Sequence, residues 1–196
     1  GSFRLAWVTV APELGQSLSR DAAFVLSADN IKTVGRHVEF TAHLILAGQF
    51  RASADVRLPF PGRHHVLNAL FGLAVAWDMG ISPELAAEDA LACQSASSRQ
   101  QLLEAGDILI MDDSYNASPE SMDAALRTLA EMAAGRRLVA ALGGMLELGE
   151  FAVSAHRELG RQAAAAGFAA LFIIGPNAGD VSAGVREKNQ DLPDRK

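Results

Sequence analysis

Four polar side chains stand between a short apolar strand and a helix in the segment MDDSYNASPESM (residues 111–122). They are Asp112, Asp113, Tyr115 and Asn116. A tight turn uses about one Asp or Asn for its own hydrogen bonds, so two adjacent acids with a phenol and an amide exceed that need. Polar groups at the carboxyl end of such a strand commonly face a ligand in α/β proteins. The segment therefore predicts a ligand site, with local turn capping as the alternative.

A second polar group, PGRHHVLNA (61–69), opens a predicted helix. His65 and Asn68 are three residues apart, so both side chains can share one helix face. The amides of a helix start, together with Arg63, suit an anionic or heteroaromatic ligand. A metal site would need further ligands that the neighbouring sequence does not supply. Ligand contact and simple capping or packing of the histidines both remain open.

Arg99 lies in the polar run QSASSRQQ (94–101). Its guanidinium donors suit a phosphate group, although an arginine in a linker is commonly just solvated. The segment GGMLELGE (143–150), with His156 nearby, is also ambiguous. Gly143 and Gly144 permit close backbone approach, while the leucines and the methionine are typical of a packed loop.

The elements that must position these residues divide into two groups. Residues 22–29, 37–46 and 52–60 form short apolar segments separated by turn residues, which predicts antiparallel strands. Helical spacing follows from Val66 to a stop at Gly80, and Ser82 and Pro83 open a second helix that reaches about Cys93. The polar run 94–101 breaks the apolar period and predicts a linker. We therefore expect domains at 1–94 and 95–196.

Strands and helices alternate downstream of the linker. Strands are predicted at 106–113, 136–144 and 169–175, with helices at about 118–134 and 153–166. This order predicts an α/β fold with a Rossmann-like parallel sheet, preceded by a β-rich and then helical region. The charged tail 186–196 has no apolar period and is predicted to fray.

Composition restricts the class of protein. A net charge of -6 with 49% apolar residues describes an acidic globular chain, which argues against nucleic acid or a membrane surface as partner. Cys93 is the single cysteine, which excludes an intrachain disulfide. We expect it to be a buried helix residue. The three lysines, Lys32, Lys188 and Lys196, follow no glycine-rich loop, so the chain contains no G-x-x-x-x-G-K-[ST] phosphate cradle.

Together the motifs resemble a known family. LPFPGRHHVLNAL, an arginine before DDSYNASPESM, and LGGMLELGE followed by His156 are similar to the Mur ligases. The nearest branch is MurF, which adds D-alanyl-D-alanine to UDP-N-acetylmuramoyl-tripeptide. The likeness covers about residues 20–180, in the same order. It implies that 1–94 are the last part of a central ATP-binding domain and that 95–196 are most of a Rossmann-like C-terminal domain.

The resemblance also implies an ATP-dependent ligation in the cytoplasm, in which the two domains close over the nucleotide. ATP would phosphorylate the tripeptide carboxylate, and the amine of D-alanyl-D-alanine would attack the acyl phosphate. The residues implied at the nucleotide are His65 and Asn68 by the adenine, Arg99 by the phosphates and Asp113 by the ribose. Tyr115 and Asn116 would line the dipeptide side. The phosphate loop, the Mg²⁺ ligands and the UDP-sugar domain would lie upstream, so we expect a fragment that is inactive by itself.

Three residues depart from the family pattern. His65 replaces an asparagine, Gly144 removes an aspartate, and Ser118 replaces a second asparagine while still able to cap a helix. Two other interpretations stay open. One is a sibling Mur ligase or a folyl-polyglutamate synthase relative, against which DDSYNA argues. The other is a noncatalytic module of the same fold that binds a nucleotide or a partner.

Overall fold

The computed structural model describes residues 6–11, 13, 22–94 and 98–190 of the 196-residue chain. The chain divides into two compact units, residues 1–95 and 96–196. These are called unit 1 and unit 2.

A four-stranded sheet forms one layer of unit 1. Its strands, adjacent in chain order, are β1 (Ala6–Thr9), β2 (Phe24–Val34), β3 (His37–Leu46) and β4 (Gln49–Leu58). β1 runs parallel to β2, whereas β2, β3 and β4 are antiparallel. The three predicted strands are present. β1 was not predicted. It has only four residues, which is too short for a recognisable alternation, and it forms by pairing with β2.

The core of unit 1 follows from strand alternation. Val38, Phe40, Ala42 and Leu44 of β3 are buried, since successive side chains of a strand point to opposite faces. Helix α1 (His65–Asp78) contributes further buried residues to the same cluster, at a spacing of four. These are Val66, Leu70 and Ala74. One face of the helix is therefore fixed against the sheet.

Helix α2 (Pro83–Ala90) begins where the sequence predicts. The Ser82 hydroxyl accepts a hydrogen bond from the Leu85 N–H at 3.3 Å, and Pro83 occupies the first turn. The expectation for Cys93 was wrong, because the helix ends at Ala90 and Cys93 is exposed. Only two alanines of this helix are buried, so little packing supports a further turn.

The described part of unit 2 contains two small sheets, three α-helices and a short 3₁₀ helix, Gly149–Phe151. β5 (Gln101–Ala105) pairs antiparallel with β6 (Ile108–Asp112), and β7 (Val139–Leu142) pairs parallel with β8 (Ala170–Ile173). The helices are α3 (Pro119–Met132), α4 (Ala152–Ala165) and α5 (Ala178–Gln190). The α/β class with parallel strands is confirmed. In the described ranges, no helix is long and apolar enough to cross a membrane.

Two details of unit 2 differ from the sequence prediction. Gln101 belongs to β5 rather than to a linker, and β6 pairs with β5. The turn between these strands contains Gly106 at φ +59°, a conformation that glycine adopts without a steric cost. Strand β5 exists because of its pairing with β6, which a local pattern does not reveal.

The core of unit 2 joins all three helices to the parallel strands. Leu126 of α3, Leu142 of β7, Leu159 and Ala163 of α4, and Val181 of α5 are all buried in one cluster. The apolar positions of α3 and α4 recur at helical spacing, as the sequence predicts. The cluster supports the carboxyl end of β7, where the segment GGMLELGE (143–150) begins.

Helix α5 corrects the prediction of a frayed tail over residues 186–190, and residues 191–196 lie outside the described range. Glycines bring α5 very close to α4: a Cβ on Gly160 would overlap the Val181 carbonyl, and one on Gly184 would overlap the α4 backbone. Arg161 adds an ion pair across the two helices, with Nη1 2.6 Å from Glu187 Oε2. Residues 186–190 are therefore helical, and Glu187 lies on the face of α5 that packs against α4.

Candidate functional site

The strand-end loop, residues 112–116, begins at the last residue of β6 and is held by hydrogen bonds to the Asp112 carboxylate. Asp112 Oδ1 accepts from the Ser114 hydroxyl at 2.6 Å and from the Ser114 N–H at 3.1 Å. Asp112 Oδ2 accepts from the Ser98 hydroxyl at 3.1 Å. These bonds, with that of the Ser114 hydroxyl largest, lower the pKa of the Asp112 carboxyl below its ordinary value. Asp112 is therefore a structural anchor of the loop.

The 98–100 segment, which precedes β5, is joined to this loop at two further points. The Gln100 N–H donates to Asp113 Oδ1 at 3.2 Å. The Tyr115 N–H donates to the Ser98 carbonyl oxygen at 3.1 Å. The two segments therefore form one hydrogen-bonded arrangement within unit 2.

Arg99 and Tyr115 come into direct contact in this arrangement. The Arg99 guanidinium carbon lies 4.2 Å from the centroid of the Tyr115 ring, within the range of a cation–π interaction. Both side chains are exposed. Among the described residues, no ion pair involves Arg99. The sequence named both residues but did not predict their contact.

The end of the strand-end loop leads into helix α3. Asn116 is exposed. The Ser118 hydroxyl accepts from the Ser121 N–H at 3.2 Å, and the Ser121 hydroxyl accepts from the Ser118 N–H at 2.9 Å, which is a capping box. The Ser118 side chain is therefore engaged by the helix start, as its place before Pro119 predicts.

The polar residues of unit 1 have a different environment. The His65 ring packs edge-on against Phe60, with centroids 4.7 Å apart, and lies 4.0 Å from the His64 ring. Asn68 is exposed one turn later. His65 and Asn68 thus differ in exposure, although their spacing allows a common helix face. Within the described ranges, no group of three or more His, Cys, Asp or Glu side chains is arranged to hold a metal ion.

Comparison with known proteins places these motifs in a family. The family model described as "Mur ligase, glutamate ligase domain" matches residues 98–195, which is half of the chain. The chain belongs to the Mur ligase family. The matched range begins at Ser98, whose hydroxyl bonds to Asp112 of the strand-end loop.

Two relatives within the Mur ligase family have the same name. The UDP-N-acetylmuramoyl-tripeptide–D-alanyl-D-alanine ligase of Mycobacterium tuberculosis is 42% identical over 130 residues, 63% of this chain and 26% of that protein. The ligase of the same name from Escherichia coli is 34% identical over 157 residues, 80% of this chain and 33% of that protein. The chain thus spans about a quarter to a third of the length of these curated relatives.

A solved Mur ligase has the same fold. A crystal structure of MurF from Acinetobacter baumannii matches with a TM-score of 0.71 and 29% identity, covering 84% of this chain and 34% of that one. Closeness to the MurF branch, expected from DDSYNA, is thereby confirmed.

The Mur ligase domain also contains a buried histidine to which the sequence assigned no role. His156 is 1% exposed, its Nε2 accepts from the Met145 N–H at 3.0 Å, and its Nδ1 lies 2.6 Å from the Ala152 carbonyl oxygen. A neutral ring with its proton on Nδ1 satisfies both contacts. The sequence contained a signal for this burial, because His156 lies on the same apolar face of the helix as Leu159 and Ala163. His156 thus holds the loop that follows β7.

Proposed function

We propose that this chain is part of an ATP-dependent ligase that joins D-alanyl-D-alanine to UDP-N-acetylmuramoyl-tripeptide during peptidoglycan precursor synthesis. The observation that carries the proposal is the family match over 98–195, whose first residues are bonded to the strand-end loop. The names of the most similar relatives supply the substrates. ATP and a UDP-linked precursor place the reaction in the cytoplasm.

In unit 2, we assign Asp113 to the ribose hydroxyls and Arg99 to the phosphates. The Gln100 N–H occupies Asp113 Oδ1 and fixes the carboxylate, while Oδ2 can accept from a hydroxyl donor. The exposed Arg99 guanidinium has no ion pair among the described residues, so its N–H groups can donate to a phosphate oxygen. Tyr115 and Asn116 are assigned to the dipeptide side.

In unit 1, we assign His65 and Asn68 to the adenine. The exposed Asn68 amide has both a donor and an acceptor, which suits the edge of a purine. The His65 ring is held against Phe60, so its orientation is fixed by packing.

The proposed reaction has two steps. ATP transfers its terminal phosphoryl group to the tripeptide carboxylate, which gives ADP and an acyl phosphate. The amine of D-alanyl-D-alanine then attacks the acyl carbon, inorganic phosphate leaves, and the new amide nitrogen loses a proton. The residues of this chain bind and orient the nucleotide, which is the kind of contribution that positioning makes to phosphoryl transfer.

Magnesium belongs to the proposed reaction as the partner of the ATP phosphates. Among the described residues, no group of three or more His, Cys, Asp or Glu side chains is arranged to hold a metal ion. No residue of this chain is therefore assigned to the metal. Because the sequence also has no phosphate-loop lysine, we propose that these 196 residues by themselves turn over no ATP.

A segment exchange tests the proposed function. The part of the Escherichia coli ligase that aligns with this chain would be replaced by the corresponding residues of this chain. Addition of D-alanyl-D-alanine would then be measured as phosphate release and as product. We expect product from D-alanyl-D-alanine, and not from glutamate or L-alanine as the amine.

Substitutions of two aspartates, one in the proposed site and one outside it, provide the control for this experiment. In the exchanged protein, Asp113→Ala should raise the KM for ATP about tenfold or more, as expected for loss of a hydrogen bond to a charged group. Asp107→Ala, in the exposed turn after β5, should leave the KM unchanged. A folded exchanged protein that uses another amine, or that binds ATP and makes no product, would contradict the proposal.

A further inference from the structure

The contact between Arg99 and Tyr115 gives the tyrosine a second role. Residues 98–100 and the strand-end loop are joined by three hydrogen bonds: Ser98 hydroxyl to Asp112, Gln100 N–H to Asp113, and Tyr115 N–H to the Ser98 carbonyl. These bonds fix the two backbones on either side of the Arg99 and Tyr115 side chains. The ring and the guanidinium are therefore brought together by the fold of unit 2.

The Arg99 guanidinium has no ion pair among the described residues, so its N–H groups are available to a further partner. Two carboxylates lie in the same loop, yet their recorded bonds go to Ser98, Gln100 and Ser114, and none goes to Arg99. The guanidinium carbon lies over the Tyr115 ring at 4.2 Å. A planar guanidinium that stacks on a ring keeps its N–H groups in the plane, where they can still donate to a phosphate.

We propose that Tyr115 is a positioning residue for Arg99, holding the guanidinium by its ring face so that the N–H groups are presented to a phosphate group. The proposal rests on the proposed function for the assignment of Arg99 and adds to the dipeptide-side assignment of Tyr115. The ring is needed for this role and the phenol hydroxyl is not. The arginine side chain is long and has many rotamers. Contact with the ring restricts these rotamers before a phosphate binds, which lowers the entropy cost of binding.

The experiment follows the binding of inorganic tripolyphosphate to the 196-residue chain by NMR at low ionic strength, using the Arg99 Nε–H signal. We expect tripolyphosphate to shift this signal and Arg99→Ala to weaken binding. Tyr115→Leu should weaken binding about two- to fivefold, the effect of an exposed cation–π contact. Tyr115→Phe should bind as the original chain does.

Phe172→Leu is the matched control, because Phe172 is 63% exposed and Tyr115 is 65% exposed in the same unit. It should leave tripolyphosphate binding unchanged. Since both Tyr115 variants change an exposed side chain, they should fold, and circular dichroism would verify this. An unchanged affinity in Tyr115→Leu, an equal loss in Tyr115→Phe, or no shift of the Arg99 signal would each overturn the proposal.

The ligase assay on the exchanged protein separates this proposal from the proposed function. If Tyr115→Leu raises the KM for D-alanyl-D-alanine alone, the tyrosine contacts the dipeptide and the positioning proposal fails while the ligase stands. If tripolyphosphate binding behaves as expected but the exchanged protein makes no product, the ligase proposal fails and the role of Tyr115 stands.

Discussion

The helix start at residues 61–68 and the strand-end loop at residues 112–116 both present polar side chains, but different interactions place them. In unit 1, His65 is positioned by helix α1, whose Val66 and Leu70 are fully buried. The His65 ring packs against Phe60. In unit 2, Asp113 and its neighbours are placed by hydrogen bonds to the 98–100 segment. The positions of the unit 1 side chains should therefore depend on apolar burial. Those of the unit 2 side chains should depend on local hydrogen bonds.

The largest expected effect is on the core beneath the unit 1 group. Leu70→Ala removes a side chain that is 0% exposed, which should lower the free energy of unfolding of unit 1 by about 2–5 kcal/mol. Both tryptophans, Trp7 and Trp77, belong to unit 1. Tryptophan fluorescence in a denaturant titration therefore reports this unit alone.

Leu67→Ala on the same helix is the control, because Leu67 is 38% exposed. It should lower the free energy of unfolding clearly less than Leu70→Ala does. Equal losses for the two leucines would show that packing against the sheet does not hold α1.

A smaller effect is expected at the contact between α4 and α5. Gly160→Ala would force its Cβ against the Val181 carbonyl, and overpacking of this kind costs about 1–3 kcal/mol. Gly179→Ala, in α5 with open space around it, should be neutral or slightly stabilising, since alanine favours a helix. Amide hydrogen exchange in α4 and α5 measures the effect of each substitution on the stability of these helices. Similar protection in the two variants would mean that the helices do not need the close approach.

The strand-end loop should respond to acid rather than to core truncation. The lowered pKa of the Asp112 carboxyl means that its bonds are complete above the carboxyl's ordinary value of 3.8 and are lost as the pH falls through the lowered value. The Ser114 N–H chemical shift, followed by NMR, should therefore titrate below that ordinary value. Asp112→Asn should abolish the transition. A midpoint at or above the ordinary value would show that Ser114 and Ser98 do not stabilise the charged carboxylate.

The sequence predicted the elements whose signals are local. Ser82 with Pro83 and Ser118 with Pro119 mark helix starts that the structure confirms, because a cap depends on residues within one turn. Strand β5 and helix α5 were not predicted, since the first depends on pairing with β6 and the second on close contact with Gly160. These partners are distant in sequence, so no local pattern contains them.

The candidate site shows the same division. The residue types at 112–116 indicated a ligand site, whereas the polar run around Arg99 was interpreted as a linker. The hydrogen bonds from Ser98 and Gln100 to the acids, and the cation–π contact of Arg99 with Tyr115, join residues 13–16 positions apart. Such contacts require the β5–β6 hairpin, which composition and period did not reveal. The role of Asp113 at a nucleotide stays a prediction.

Calorimetric titration of ADP into the 196-residue chain tests the central claim most directly, namely that unit 2 carries a preformed contact for the nucleotide. Asp107→Ala serves as the matched acid variant, and circular dichroism verifies the fold of each protein. The account predicts heat of binding in the original chain and in Asp107→Ala, with affinity about tenfold or more weaker in Asp113→Ala. Absence of binding by the folded chain, or equal binding by Asp113→Ala, would contradict it.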